Sequence, residues 1–591
     1  MWVQVMIGVV AHRKFSRRPR SKTIFSFPVK NVRVFSLFVH VVGTVMIILL
    51  LPSPIRRPVA HVHFQTFPGG LLQGCKSQGS YIFHVSKEVS PLASFGGVGQ
   101  AVGELTTALS TNLPNVCVVN VIPKYGFLDT FHAALSFDIT IDGRLGQAEV
   151  FFHYANSVTF LMISAPTFYP GLWQSKSVED AYNCPRSIRR EDRDLYFTFS
   201  AAQLITALAD HDKVLTVVHA HGASNAPVLW FLRERPVKKV YSIHDYNSET
   251  QLAYTLRKTS LFGSIDGLVL ALKAAEQDKK SRLLRLVSEH RVPVRASFFA
   301  SQADIITTVS SGMVSPLMQL DSSYGELLLH YKFQGRLFCL RNWVSQSMWL
   351  GARKILPVND SVSHKALARA KILNLFLRRD GISTTRQIFC LVGWIGRFDV
   401  NKGIDFLPDL LKIVCELSCR LVVVGYSTSR RDNVRMEDVK RRLQEISHQT
   451  TCPFIFIGDR STQDLHMSTV RAALDVVVVT SRSEGFGLTA AEALAFGSMP
   501  VVSSVGGLPE ILEASSREGK VGFTYEVFAQ HHLSVLALRL ALNQSVSLLS
   551  QARLSGRLQA LHDRLYAATP LRSHASGLPA YINMYSTLGV R

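Results

Sequence analysis

Residues 475–504 constrain the fold of this chain more than any other stretch. Residues 475–480 (DVVVVT) form a β-branched run short enough for a buried parallel strand, and 499–504 (MPVVSS) read as the next strand. Between them, 489–496 have the Ala, Leu and Glu content of a helix, and Gly497 stands where a left-handed residue would end it. Strand, glycine-containing turn, helix and strand make a βαβ crossover. Its helix starts at the carboxyl edge of a parallel sheet, where doubly wound folds bind ligands. Gly485 and Gly487 let the backbone approach a ligand, and free N–H groups at the helix start favour an anion. Glu484 lies in the turn and Glu492 on the helix, so one carboxylate reaches the crevice from its rim and the other from two turns along.

The same alternation recurs along the chain. Residues 81–91 (YIFHVSKEVSP) run from a strand into a loop containing Gly96, Gly97 and Gly99, followed by a helix predicted over 100–113. Further strands are predicted at 116–125, 214–220, 240–244, 303–311 and 335–344, and a helix over 194–208. A linker over 346–388 contains a helix at 365–378 and precedes strands at 389–395, 421–425 and 454–458. The first of these runs into Gly396-Arg397-Phe398-Asp399-Val400-Asn401-Lys402-Gly403. Arg397 and Lys402 are fixed cations at this strand end, the residue types that stabilise negative charge developing on a leaving group, as a metal does elsewhere.

Composition removes several alternatives. The net charge is +22, but ten lysines and arginines and no acid fall within residues 1–60, leaving +12 for the rest. No run interleaves basic and aromatic residues as a nucleic-acid platform would. Eight scattered cysteines without a C-x-x-C pair read as reduced, mostly buried thiols and not as a disulfide framework. Asp192 and Asp194 form a D-x-D triplet, read as acids in the first turn of a helix. His219 and His221 could be half a metal site, but no third ligand is evident, so no metal is expected.

The first acid is Glu88. Before it, residues 1–33 form a basic tail, 34–51 a mostly apolar segment long enough to cross a bilayer, and 52–80 a Pro-, Gly- and Ser-containing stem. The charge asymmetry places the amino terminus in the cytosol if 34–51 is a single-pass signal anchor. A long signal peptide, an organelle-targeting segment, a cytoplasmic soluble protein and a misassigned start remain as alternatives.

Several motifs carry a family resemblance. Glu484 and Glu492 resemble the E-x7-E signature of retaining glycosyltransferases with GT-B architecture, and 396–405 resembles "G-R-L-x-x-Q-K-G-x-D" of glycogen and starch synthases, a family that includes the synthase domain of fungal α-glucan synthases. Residues 303–311 (ADIITTVSS) and the Gly96-Gly97 loop are similar to that family's strand and "K-T-G-G-L" opening. The resemblance implies that Glu484 holds the donor sugar and Glu492 the ribose. It implies that His244 faces the transferred sugar, that His221 lies on the acceptor side, and that Gly96, Gly97, Asn342, Arg397, Lys402, Gly487 and Leu488 bind the nucleotide sugar. The chain departs from the family in several places. Ser94 replaces a phosphate-contacting lysine and Phe95 a threonine, His219 an aspartate and Ala220 an aromatic residue, Trp343 a glycine, and Phe486 the cysteine of the synthases proper.

The fold class implied is α/β: GT-B, with two Rossmann-like doubly wound domains facing a cleft. These are an acceptor domain over 81–345 and a nucleotide-sugar domain over 389–565, with a crossing helix and tail over 566–591. The implied activity is retaining transfer of a hexose, with glucose the implied sugar, from a UDP- or ADP-sugar to a glycan, without cofactor or metal. The rival readings are a membrane-tethered pseudoenzyme or glycan-binding protein, and a transferase with another sugar or a lipid-linked acceptor.

Overall fold

Two sheets built from parallel strands organise the protein, and in each the strand order reverses where the motifs fall. The computed structural model describes residues 72, 79–94, 96–128, 131, 133–141, 144–175, 188, 190–246, 249, 253–255, 293–320, 322–380, 388–427, 430–458, 467–514, 519–570 and 577–590. The basic tail, the apolar segment 34–51 and nearly all of the proposed stem lie outside the described residues.

The first sheet has nine strands. They are β1 (Ser80–Val85), β2 (Val116–Pro123), β3 (Ala133–Ile141), β4 (Arg144–Ala155), β5 (Val158–Ile163), β6 (Leu215–His221), β7 (Lys238–Ile243), β10 (Ile305–Thr308) and β11 (Leu337–Cys339). Their order is β11-β10-β7-β6-β1-β2-β5-β4-β3. All pairs from β11 to β5 are parallel, and β4 turns back antiparallel on β5. β1 lies between β2 and β6, so the order reverses at β1/β6, and the crevice at the carboxyl ends of those two strands is a ligand position. The core strands are fully buried, which is why they read as continuous apolar runs.

The second sheet is wholly parallel: β12 (Leu391–Arg397), β13 (Arg420–Tyr426), β14 (Ile455–Ile457), β15 (Val476–Val479), β16 (Met499–Ser503) and β17 (Phe523–Tyr525), in the order β14-β13-β12-β15-β16-β17. Its reversal lies between β12 and β15. Both predicted motif turns therefore leave adjacent strands at one point. The helix between β15 and β16 spans Leu488–Ala495, and Gly497 beyond it has φ 60°. A separate two-stranded ribbon is formed by β8 (Ala253–Thr255) and β9 (Pro293–Arg295).

The helix expected over 365–378 spans Ser361–Asp380 and is pinned to the second sheet's layer by a buried lysine. Lys365 Nζ donates to the carbonyls of Ala472 and Phe496, each at 3.0 Å, to that of Leu474, and to Ser498 Oγ at 3.2 Å. Burial pushes the Lys365 ammonium down to about 7. The Leu578–Thr587 helix returns to the first sheet, where Tyr585 meets His219 and Tyr581 lies edge-on to Trp343.

Two sequence expectations are corrected. The cysteines are not all thiols: Cys390 pairs with Cys419 and Cys415 with Cys452, and Cys117 is also disulfide-bonded. Sequence separation hides the first pair. Leu391 and Arg420 are register partners on β12 and β13, so the residues just before them are brought side by side by the crossover. Among the described residues, Cys339 remains a free, exposed thiol. The second correction concerns Asp194, which does not simply complement the dipole of the Arg190–Asp212 helix. It is buried against Lys87 Nζ at 2.7 Å and Arg193 Nε at 2.9 Å.

Candidate active site

The turn after β15 is tied to the turn after β12 at close range. Lys402 Nζ donates to Glu484 Oε2 at 2.7 Å, and Ser481 Oγ donates to the same oxygen at 2.9 Å. Thr480 Oγ1 donates to the Lys402 carbonyl at 2.7 Å and accepts from Trp394 Nε1 at 2.9 Å, while the Arg482 amide donates to the Asn401 carbonyl. Gly403 has φ 65°, and a Cβ there would lie 2.0 Å from the Thr480 carbonyl. That close approach explains the glycine after Lys402. Arg397 ends β12 opposite Tyr426, near enough that Arg397 and Lys402 both act electrostatically on the Tyr426 hydroxyl.

Glu492 behaves differently from Glu484. It is buried on the inner face of its helix, where Oε2 accepts from Arg471 Nη2 at 2.9 Å and the Gln100 side chain also bonds to the carboxylate. Burial pushes its pKa up, and Arg471 and Gln100 oppose that shift. Arg471 lies 21 residues upstream and Gln100 on the first sheet's Gly97–Asn112 helix, so no local pattern points to either.

Elements of the two sheets meet around these turns. Gly97 faces Leu488, whose Cδ1 would be 3.2 Å from an added Cβ. A Cβ on Gly485 would lie 2.1 Å from the His244 carbonyl, and Ser310 Oγ donates to the Gly485 carbonyl at 2.6 Å. Gly487 has φ 100° and packs against Leu508. Glu510 forms a second tie. Its Oε1 accepts from Ser311 Oγ at 2.8 Å and from the Gly312 amide, and its Oε2 from Arg341 Nε at 3.0 Å. Asn342 follows Arg341 and is half-buried. Gly96 is extended backbone at the start of the Gly97–Asn112 helix, above the Glu88 carboxylate. Ser94 is exposed at the position of the absent family lysine.

The end of the first sheet holds four imidazoles, one more than its loops announce. His84 on β1 is the register partner of His219 on β6, and His221 and His244 follow. His84 Nδ1 is 2.9 Å from His221 Nε2, and His221 Nδ1 is 3.1 Å from His244 Nε2. His219 stacks on His221 at 4.1 Å between ring centres and places its nitrogens 2.5 Å from the Tyr585 hydroxyl and 2.6 Å from Ser242 Oγ. Burial pushes His84 down to about 3 and His244 to about 4, and holds His219 and His221 well below the ordinary range. All four are therefore neutral near pH 7. His84 does supply a third imidazole beside His219 and His221, but both His219 nitrogens are taken up by protein hydroxyls.

An α/β frame that places paired glutamates, two cations and a glycine loop at its strand-order reversals is the frame of a glycosyltransferase. The family described as starch synthase catalytic domain matches residues 81–330, and that described as glycosyl transferases group 1 matches 390–537. Glycogen synthase from Francisella philomiragia subsp. philomiragia is 23% identical over 490 residues, covering 79% of this chain and 92% of its own. Glycogen synthase from Francisella tularensis subsp. novicida is 24% identical over 491 residues, covering 79% and 91%. Among solved structures, the catalytic domain of starch synthase IV from Arabidopsis thaliana bound to ADP and acarbose superposes with TM-score 0.65 at 18% identity, covering 87% of this chain and all of that one. Sucrose-phosphate synthase from Thermosynechococcus elongatus gives TM-score 0.52 at 17% identity, covering 87% and 100%. Along most of its length the chain is similar to the glycogen and starch synthases and has a GT-B-like fold, and it is an enzyme of glycosyl transfer.

Proposed function

We propose that the enzyme transfers glucose from UDP- or ADP-glucose to the end of an α-glucan with retention of anomeric configuration. The observation that carries this reading is the Lys402–Glu484 pair beside Arg397. It sets two cations and one carboxylate at the strand-order reversal of the second sheet. Arg397 and Lys402 would meet the charge that grows on the departing diphosphate, and Glu484 a hydroxyl of the sugar. Glu492, oriented by Arg471, would accept from the ribose. The contacts of Gly97 with Leu488 and of Gly485 with the His244 carbonyl suit a donor enclosed between the two sheets, where excluded water strengthens each polar contact. The ADP in the starch synthase IV structure supports a nucleoside diphosphate as the leaving group.

On this reading no divalent metal is required, because the two cations and the start of the Leu488–Ala495 helix neutralise the diphosphate. Calorimetry with a panel of nucleotide sugars, followed by turnover in chelator and nuclear magnetic resonance of the product anomer, tests the reading. Binding of one glucose donor and metal-independent formation of an α-linkage are expected; an inverted product would overturn it. We further propose that residues 34–51 tether the enzyme to a membrane with its catalytic part on the oxidising side. The disulfides Cys390–Cys419 and Cys415–Cys452 support that side. Protease protection in sealed vesicles is expected, and digestion of the catalytic part from outside would reject this topology.

A further inference from the structure

Three of the four imidazoles form a chain with one open end. Two hydrogen bonds run in series, His84 Nδ1 to His221 Nε2 and His221 Nδ1 to His244 Nε2, and each link holds a single proton. A neutral imidazole carries one N–H, so placing a proton in either link fixes all three rings. Only two arrangements exist. In the first, His84 and His221 each donate from Nδ1, and His244 accepts at Nε2 and carries its own proton on Nδ1. In the second every donor is an Nε2–H, and His84 is left with Nε2–H pointing into the core.

His84 Nε2 decides between them. It is fully buried and meets no hydrogen-bond partner among the described residues. The second arrangement would strand a buried N–H, whereas the first leaves only a lone pair unmet, the commoner and cheaper defect in folded proteins.

We propose that His84 and His221 are positioning residues that hold His244 as its Nδ1–H tautomer, presenting a fixed N–H donor to the donor sugar. This rests on the reading above that His244 meets that sugar. His219 supports the lock by stacking on His221 while its own nitrogens bond to Tyr585 and Ser242, so it does not compete for either link. Where the family has an aspartate, a carboxylate beside His221 would favour the doubly protonated ring, in which both nitrogens donate and the order is lost. The neutral His219 ring avoids this.

The alternative for His84, His219 and His221 is a bound cation, since their ligand atoms lie within 4.8 Å of one another. It would have to break the His84–His221 bond and displace a hydroxyl from His219. The other titrating groups acting on His219 and His221 are histidines, so they offer no balancing negative charge.

The test is a long-range proton–nitrogen spectrum of the full chain labelled with nitrogen-15 histidine, with His244 assigned by its loss in His244→Gln. The wild type is expected to show His244 protonated at Nδ1 and bare at Nε2. His84→Phe is expected to give a mixture of tautomers and about a tenfold lower kcat, with KM for the nucleotide sugar within about twofold. His84→Asn, whose amide can still donate to His221, is expected to restore both the single tautomer and most of kcat. An Nε2–H on His244 in the wild type overturns the lock, whether or not the variants fold. So does stoichiometric zinc in the purified enzyme held on these rings, or a folded His84→Phe enzyme with unchanged tautomer and kcat. The expected tautomer in a wild type that transfers no sugar would count against the functional reading and leave the lock standing.

Discussion

The carboxyl ends of the two sheets solve the same placement problem with opposite chemistry. At the second sheet the polar groups are ions in pairs: Lys402 with Glu484 and Arg471 with Glu492. At the first they are four uncharged buried rings, three of them bonded in series and the fourth stacked on the middle one. Paired ions in a half-open turn can exchange one partner for a substrate, because the carboxylate or ammonium that is released still has water or ligand to meet. Buried neutral rings cannot exchange partners cheaply, and they hold a geometry instead. The difference assigns charge stabilisation to one end and orientation to the other.

Acid should break the comparison most strongly, since it acts on the rings and spares a paired ammonium. In the fold the imidazoles are neutral, with His244 lowered to about 4 and His84 to about 3. In the unfolded chain each takes a proton near pH 6.5. Below that pH the unfolded state binds more protons, so stability falls as pH drops from about 6.5 and levels off as the folded values are reached. Each group contributes a slope of about 1.4 kcal/mol per pH unit, and several act together. Urea unfolding at pH 7, 6 and 5 should show the midpoint falling, with amide exchange rising first around β1 and β6. A midpoint flat across this range would mean the rings are already charged or solvated.

The next largest effect belongs to the ion pairs. Lys402→Ala and Arg397→Ala should each lower kcat by about a hundredfold, or ~3 kcal/mol, with a smaller change in KM. Because Lys402 holds Glu484, the double variant Lys402→Ala with Glu484→Gln should lose less than the sum of the single losses. Strict additivity would show that the two side chains act independently.

Glu492→Gln should weaken binding of free nucleoside diphosphate as well as of the nucleotide sugar, by roughly 1.5 to 3 kcal/mol, because a charged acceptor is lost beside Arg471. Glu484→Gln should bind the free diphosphate normally and fail in transfer. Calorimetric titration of both variants separates the roles. The reverse pattern would exchange the assignments of sugar and ribose.

The smallest effect is expected at Glu510, whose partners Ser311, Gly312 and Arg341 all lie near the end of the first sheet. Glu510→Gln keeps one acceptor and should raise KM for the donor by about fivefold, near 1 kcal/mol, with kcat little changed. An unchanged KM would show that the tie contributes nothing to enclosing the donor.

Local chemistry was enough to read the parallel strands, the helix ending at Gly497, the glycine after Lys402 and the pairing of Glu484 with Glu492 as a motif. Each depends on residues within a few positions of one another, where backbone sterics and side-chain period act directly. The apolar segment 34–51 is likewise a sequence reading, and it lies outside the described residues. What sequence alone did not supply is the set of partners that chain crossovers bring together: His84 with His221, 137 residues apart, Arg471 with Glu492, Glu510 with Arg341, and Cys390 with Cys419. Those contacts follow from strand order and register. Placing β1 between β2 and β6 sets His84 beside His219, and pairing β12 with β13 aligns the two cysteines. Strand order is settled by the packing of whole layers, for which no single stretch carries a signal, so only the tertiary structure could turn two histidines at a strand end into part of a cluster of buried rings.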